Sequence, residues 1–106
     1  MGLTSTPKKG TKVEMLRIEI SRSAQKDLKK VPREILLSFY AWVDRLDKIG
    51  IDETKKIKGY NDEALRGKRK GQRSVRLNKA YRAIYTIDKT GEIKILEVLE
   101  VSKHKY

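Results

Sequence analysis

The chain has 106 residues, enough for one small domain with a modest core. It has no cysteine and a single histidine, which excludes disulfides, thiolate metal sites and histidine-rich metal sites. Lysine and arginine total 26 against 14 aspartate and glutamate, and the formal charge of +12 favours a polyanion or an acidic protein as the partner.

The N-terminal region shows no targeting or membrane signal. No apolar run approaches the roughly 18 residues of a membrane span, and no signal-peptide pattern opens the sequence. We therefore expect a cytoplasmic protein with no membrane contact, metal or cofactor. Residues 1–12, MGLTSTPKKGTK, are polar and contain glycine and proline, which predicts a flexible tail before a single domain over residues 13–106.

The first half of the domain predicts one strand and two helices. Apolar and polar residues alternate over residues 13–20, which predicts a strand. Ser21 is the predicted N-cap of a short helix, with Ala24, Leu28 and Val31 on one face. Pro32 opens a second helix and Gly50 ends it. The buried stripe of this helix is predicted to contain the apolar residues at helical spacing: Ile35, Leu36, Phe39, Trp42, Val43, Leu46 and Ile49.

The second half predicts a long basic connection over residues 50–71 and then three strands. QRSVRL and AYRAIYTI are joined by a turn at Asn78 and Lys79, and DKTG makes the next turn. The last strand, EIKILEVLEV, is apolar on both faces and therefore interior to the sheet. The order β-α-α-β-β-β indicates an α+β fold, a twisted and largely antiparallel sheet with two helices packed on one face. The other face stays open to a ligand.

Basic side chains are concentrated before and within the predicted hairpin. The stretch LRGKRKGQRSVR has no acidic residue, so it should bind phosphates in a manner that weakens steeply with salt. Arg76 and Arg82 lie on consecutive strands and can project from the open face, whereas Tyr81 and Tyr85 are assigned to packing. The predicted RNA-binding residues are Arg66, Lys68, Lys70, Arg73 and Arg76.

The only histidine, His104, lies in the terminal segment SKHKY. If the last strand runs to about residue 101, this segment emerges near the hairpin, and His104 meets the arginines. The unperturbed pKa of a histidine suits proton transfer near neutrality. A histidine, an arginine, a carboxylate and a tyrosine around a phosphate would make a metal-free ribonuclease that uses the 2′-hydroxyl of RNA as its nucleophile.

Three short motifs, DEAL, YRAIY and the C-terminal histidine and tyrosine, occur in this order in the second half of the chain. With the order of elements, they resemble the RelE/ParE superfamily of bacterial toxins over about residues 13–106. The closest resemblance is to the RelE, YoeB and HigB branches, the messenger-RNA interferases of type II toxin–antitoxin systems. The resemblance implies a RelE-like fold of the microbial-ribonuclease kind.

The resemblance also implies roles for individual residues. Glu63 of DEAL matches a catalytic glutamate, the general base, and Arg82 of YRAIY matches an arginine that stabilises the transition state. His104 matches the general acid, and Tyr106 orients the phosphate or stacks on a base. Lys105 separates His104 from Tyr106, whereas YoeB-like tails place the two side by side. Glu100 is the alternative general base.

The implied partners are messenger RNA in the ribosomal A site, ribosomal RNA and a cognate antitoxin protein. Two other readings share the fold. A ParE-like toxin poisons DNA gyrase and is not a nuclease, so it has no chemical need for His104 and Tyr106 beside Arg82. A non-catalytic nucleic-acid-binding module would need the basic loop but not His104.

Overall fold

The computed structural model describes residues 15–103. The predicted tail of residues 1–12, the first two residues predicted for the first strand, and His104 and Tyr106 lie outside this range. Within it, the described elements are β1 (Met15–Ile20), α1 (Arg22–Leu28), α2 (Arg33–Lys55), β2 (Glu63–Ala64), β3 (Arg73–Arg76), β4 (Tyr81–Thr90) and β5 (Ile93–Lys103). None of the described helices has the length and apolar character needed to cross a membrane.

Ser21 caps α1 as predicted. Its side-chain oxygen accepts a hydrogen bond from the backbone N–H of Ala24 at 3.0 Å and donates one to the carbonyl of Leu99 at 3.1 Å. The cap therefore starts the helix and also ties it to β5. The helix ends at Leu28, earlier than the predicted face through Val31 requires, but Val31 still packs against the core from the connection that follows.

The predicted buried stripe of α2 is confirmed at Ile35, Phe39, Trp42 and Leu46, and Leu36 and Val43 are partly buried against the core. Ile49 was wrongly included, since its side chain is 45% exposed. Gly50 interrupts the helix with a left-handed φ of 82°, and one further turn carries the chain to Lys55. The interruption redirects the chain so that Ile51, not Ile49, enters the core.

The strands form one sheet in the order β1-β5-β4-β3-β2. β1 pairs with β5 in parallel and every other neighbouring pair is antiparallel, which confirms the predicted α+β fold with its largely antiparallel sheet. β5 lies between β1 and β4, so its predicted interior place is confirmed. β2 was not predicted, because two residues are too few to show alternation.

The two hairpin turns differ in how well the sequence predicts them. At Asn78 the side-chain oxygen accepts hydrogen bonds from the N–H groups of Ala80 and Tyr81, both at 2.7 Å, so the predicted turn is correct. The predicted DKTG turn is correct at its glycine but begins three residues too early, since β4 continues to Thr90. The chain reverses at Gly91, whose φ of 61° suits a two-residue hairpin connection.

The core lies between the helices and one face of the sheet, and an irregularity in β5 decides what the other face carries. Val98 and Val101 both join the core although they are three residues apart. The pairing of β4 with β5 shifts register between Ile84 and Tyr85, which gives β5 one extra residue at Leu99. Beyond this bulge, Glu100 and Ser102 lie on the face opposite the helices, here called the open face.

Candidate active site

The open face carries two rows of side chains across the strands. One row pairs Glu63 with Ser74, Ser74 with Ile84, and Ile84 with Glu100. The next row pairs Arg76 with Arg82 and Arg82 with Ser102. Because side chains alternate along a strand, these residues face away from the core residues Val75 and Ala83.

Residues from both rows line one cleft near the β2 edge of the sheet. Two of the predicted catalytic residues, Glu63 and Arg82, line it, and so does the predicted RNA-binding residue Arg76. Standard sheet dimensions separate the Cα atoms of Glu63 and Arg82, two strands and two residues apart, by about 12 Å. Side chains of this length can therefore approach one phosphate from both sides. The lining residues are Asn61, Glu63, Ser74, Arg76, Asn78, Lys79, Tyr81 and Arg82.

Arg82 is held in the middle of the open face. Its side chain is half-buried, and its Nε is buried without a hydrogen-bond partner among the described residues. Its positive charge is close enough to help lower the pKa of Glu100. Tyr85 of the same strand lies in the core, as predicted, whereas Tyr81 packs against the edge of the core and also lines the cleft.

Glu100, the alternative general base, is engaged on both carboxylate oxygens. Oε1 accepts from Nη2 of Arg69 at 2.8 Å, and Oε2 accepts from the hydroxyl of Ser102 at 2.7 Å. Burial alone would raise the pKa of Glu100, but these hydrogen bonds and the charges of Arg69 and Arg82 outweigh it and lower the pKa. A carboxylate that is bound on both sides and less basic than usual is poorly suited to take a proton. The geometry therefore favours Glu63 over Glu100.

This lowered pKa predicts an acid-dependent contribution to stability. Stability from Glu100 is present above the ordinary glutamate pKa of 4.5 and is lost as the pH falls through the lowered value. Glu100→Gln should therefore unfold at lower denaturant concentration than wild type at about pH 7, and the difference should shrink at about pH 3. Equal differences at the two pH values would contradict this prediction. Glu92→Gln, at an exposed position between β4 and β5, is the control.

The predicted RNA-binding residues fall into three groups. Arg66, Lys68 and Lys70 are exposed around a short 3₁₀ turn at Gly67–Arg69, in the loop between β2 and β3. They do not line the cleft. Arg69 of the same turn reaches Glu100, which brings this loop across the open face toward β5. Arg76 lines the cleft. Arg73 belongs neither to the exposed loop nor to the lining of the cleft.

Arg73 forms an ion pair with Asp62 on the core side of the sheet. It lies opposite Tyr85 in the pairing of β3 with β4, and its Nε donates to the carboxylate of Asp62 at 2.6 Å. Sequence reasoning missed Asp62, as well as Arg69 and Asn61. Asp62 and Asn61 stand beside Glu63 in the motif NDEAL, so the alternation of this short segment was the available signal.

The two remaining predicted catalytic residues, His104 and Tyr106, lie outside the described residues. Lys103, the last described residue, pairs with Tyr81, which lines the cleft. His104 follows Lys103 directly in the sequence. Within residues 15–103, no three carboxylate, histidine or cysteine side chains are grouped so that they could hold a metal ion.

The sequence matches one protein family over most of its length. Residues 18–105 match the ParE toxin of type II toxin–antitoxin systems, parDE. The chain belongs to this toxin family. It is therefore a member of the RelE/ParE-like superfamily, as the sequence motifs predicted. No curated protein sequence matches the chain significantly.

Solved structures of toxins share the fold. A YoeB/ParE toxin from Agrobacterium tumefaciens superposes with a TM-score of 0.66 at 17% identity, covering 84% of this chain and 99% of its own. YafQ from E. coli gives 0.64 at 18% identity, covering 85% and 94%. The toxin–antitoxin complex RelBE2 from Mycobacterium tuberculosis gives 0.54 at 25% identity, covering 87% and 100%. The chain thus spans the whole toxin fold.

Proposed function

We propose that this toxin is a metal-independent endoribonuclease that cuts messenger RNA in the ribosomal A site and so inhibits translation. The observation that carries the proposal is the meeting of Glu63 and Arg82 in one polar cleft on the open face. The two residues come from separate motifs, 19 positions apart, and the family resemblance implies a catalytic role for each. The resemblance to the RelE, YoeB and HigB branches supports messenger RNA in the ribosomal A site as the substrate.

The proposed reaction is an internal transfer within the RNA chain. Glu63 takes the proton of a 2′-hydroxyl, and the 2′-oxygen forms a bond to the adjacent phosphorus. Arg82 and Arg76 stabilise the negative charge on the non-bridging oxygens. The bond from phosphorus to the 5′-oxygen breaks, and His104 gives its proton to that oxygen. The products are a 2′,3′-cyclic phosphate, or the 3′-phosphate formed from it, and a 5′-hydroxyl end.

The end of β5 is consistent with the proposed role of His104. Even-numbered residues beyond the bulge, Glu100 and Ser102, lie on the open face, and Ser102 pairs directly with Arg82. His104 follows Lys103, the residue that pairs with Tyr81, by one peptide unit of at most about 3.8 Å between Cα atoms, and we propose that its side chain reaches the row that contains Arg82. We propose that Tyr106 orients the phosphate or stacks on a base from the same tail.

The charge and surface of the chain support the proposed partners. The net charge of +12 and the exposed side chains of Arg66, Lys68 and Lys70 suit ribosomal RNA as well as the messenger. We also propose a cognate antitoxin, since the solved relatives include a YoeB-YefM complex and the RelBE2 toxin–antitoxin complex. Leu37 and Tyr40 of α2, which are 58% and 51% exposed, offer apolar surface for such a protein.

Inhibition of DNA gyrase is the second candidate function, because the matching family is described as the ParE toxin of the parDE system. The two functions make opposite predictions for the wild-type protein. We expect it to cut messenger RNA on translating ribosomes and to leave supercoiling by gyrase unchanged. Intact messenger RNA together with inhibited supercoiling would overturn the ribonuclease proposal and support the second function.

A further inference from the structure

Asp62 is a buried acidic residue that the proposed reaction does not use. Its side chain is only 1% exposed. One carboxylate oxygen accepts from Nε of Arg73 at 2.6 Å, and the other accepts from the hydroxyl of Tyr85 at 2.5 Å. Arg73 and Tyr85 are themselves opposite each other in the pairing of β3 with β4. Asp62 therefore joins the β2 edge to two neighbouring strands through one carboxylate.

The residues on either side of Asp62 face the other way. Asn61 and Glu63 both line the cleft on the open face, whereas Asp62 between them is directed to partners on the core side of the sheet. Asn61 holds a left-handed φ of 44°, which turns the chain into β2. The position of the Glu63 side chain is thus coupled to that of Asp62 through a single peptide unit.

The segment that carries Glu63 joins the sheet through a short strand at its edge. β2 is an edge strand of two residues, and among the strands of residues 15–103 it pairs with β3 alone. Beyond it, the described backbone contact is the hydrogen bond from the N–H of Leu65 to the carbonyl of Gln72 at 2.9 Å. Such a short edge strand opens easily unless side chains hold it. The two hydrogen bonds to the buried carboxylate of Asp62, together with the packing of Tyr60 against the core, hold this one.

The ionisation of the partners keeps this arrangement intact near neutral pH. Burial, and then the hydrogen bond and charge of Asp62, raise the pKa of the Tyr85 hydroxyl well above its usual value, so it remains a donor. Burial would lower the pKa of Arg73, but the hydrogen bond and charge of Asp62 raise it overall. Both groups therefore donate to Asp62 throughout the physiological range.

We propose that Asp62 is a positioning residue, which by binding Arg73 and Tyr85 anchors β2 and holds the carboxylate of Glu63 in the cleft. The anchoring of β2 stands on the contacts alone, whereas its catalytic consequence rests on the proposed endoribonuclease function. Asp62 touches no substrate in this account and acts only through Glu63.

Hydrogen exchange tests the anchoring without reference to any activity. In Asp62→Ala, the amide of Leu65 should exchange about tenfold faster or more, because the segment opens locally. The amide of Ser21, which donates to Val98 at the far side of the sheet, should keep its wild-type rate. Asp27→Ala is the matched control, since Asp27 also accepts a tertiary hydrogen bond, from Val101. An unchanged rate at Leu65 would overturn the proposal.

Cleavage rates test the catalytic consequence. Asp62→Ala should cut messenger RNA about 10- to 100-fold more slowly, since small displacements of a catalytic group carry penalties of this size. In a Glu63→Gln background the same substitution should have little further effect, because its target is already lost. Full additivity of the two losses, or a wild-type rate in Asp62→Ala, would overturn the positioning role.

Two further results keep the outcomes separate. If Asp62→Ala does not fold, Asp62→Asn retains the shape of the side chain and should shift both measurements in the same direction by less. If Asp62→Asn leaves both the exchange rate at Leu65 and the cleavage rate at their wild-type values, the proposal is overturned. A wild-type protein that cuts no RNA would overturn the proposed function and the catalytic role of Asp62 with it. The exchange rate at Leu65 would then still decide whether Asp62 anchors β2.

Discussion

Replacing Arg82 by alanine is expected to lower the rate of messenger-RNA cleavage by about 10²- to 10³-fold, the usual loss when a donor to the transition state is removed. Arg82 lies centrally on the open face, between Arg76 and Ser102 in the pairing of the strands. It lines the same cleft as Glu63. The measurement is the rate of cleavage on translating ribosomes, with ribosome binding followed by co-sedimentation.

A change in overall charge must be separated from a change in the cleft. Arg45→Ala removes the same charge from an exposed position on α2, and we expect it to cut at nearly the wild-type rate. Arg82→Lys keeps the charge but loses the planar fork of the guanidinium, so its rate should fall between wild type and Arg82→Ala. Equal rates in Arg82→Ala and Arg45→Ala would show that Arg82 contributes only charge.

The same assay applies to the proposed proton donor. His104→Ala should lose activity to an extent similar to Arg82→Ala, because general acid catalysis contributes about 10²- to 10⁴-fold. Lys105→Ala changes the neighbouring residue of the tail and serves as the matched control. A His104→Ala variant that cuts at the wild-type rate would remove His104 from the mechanism.

Replacing Trp42 by alanine is expected to destabilise the fold by about 3–5 kcal/mol, the range for removing a large aromatic side chain from a core. Trp42 is completely buried, with its ring 5.4 Å from that of Tyr85 and 5.9 Å from that of Phe39, centroid to centroid. The side chain therefore connects α2 to the strand that carries Arg82. Small domains have only about 5–15 kcal/mol in total, so this loss is a large part of the stability of the domain.

Thermal unfolding followed by circular dichroism measures this loss. We expect the midpoint to fall by roughly 15–30 °C, from the usual shift per kcal/mol in domains of this size. Tyr40→Ala removes an aromatic ring from the same helix, but one that is 51% exposed, and its midpoint should fall much less. Similar midpoints for the two variants would contradict the assignment of Trp42 to the core.

The helical part of the fold was predictable because its pattern is long and regular. The spacing of apolar residues is enough to assign Phe39 and Trp42 to the core. The place of Ser21 before an apolar helical face is enough to identify it as an N-cap. The errors arose where a single backbone angle decides the structure. Gly50 and Gly91 both have a positive φ. The end of α2 beyond Gly50 and the end of β4 before Gly91 therefore differ from the ends that apolar periodicity predicts.

The candidate site was predictable only in part, since it is assembled by strand pairing. Glu63 and Arg82 were identified from motifs, but their common cleft depends on a two-residue strand that gives no periodic signal. Arg73 was assigned to RNA from the charge of its neighbourhood. Its pairing with Asp62 depends on which face of the edge strand each residue occupies, and register is not visible in composition.

The chemistry of the cut ends is the most direct test of the central claim, that the cleft of Glu63 and Arg82 drives attack by the 2′-hydroxyl of RNA. The measurement is the end groups of messenger-RNA fragments produced by the wild-type protein on translating ribosomes. We predict a 5′-hydroxyl on the downstream fragment and a 2′,3′-cyclic phosphate or 3′-phosphate on the upstream one. Uncut messenger RNA, or fragments with a 5′-phosphate and a 3′-hydroxyl, would contradict it.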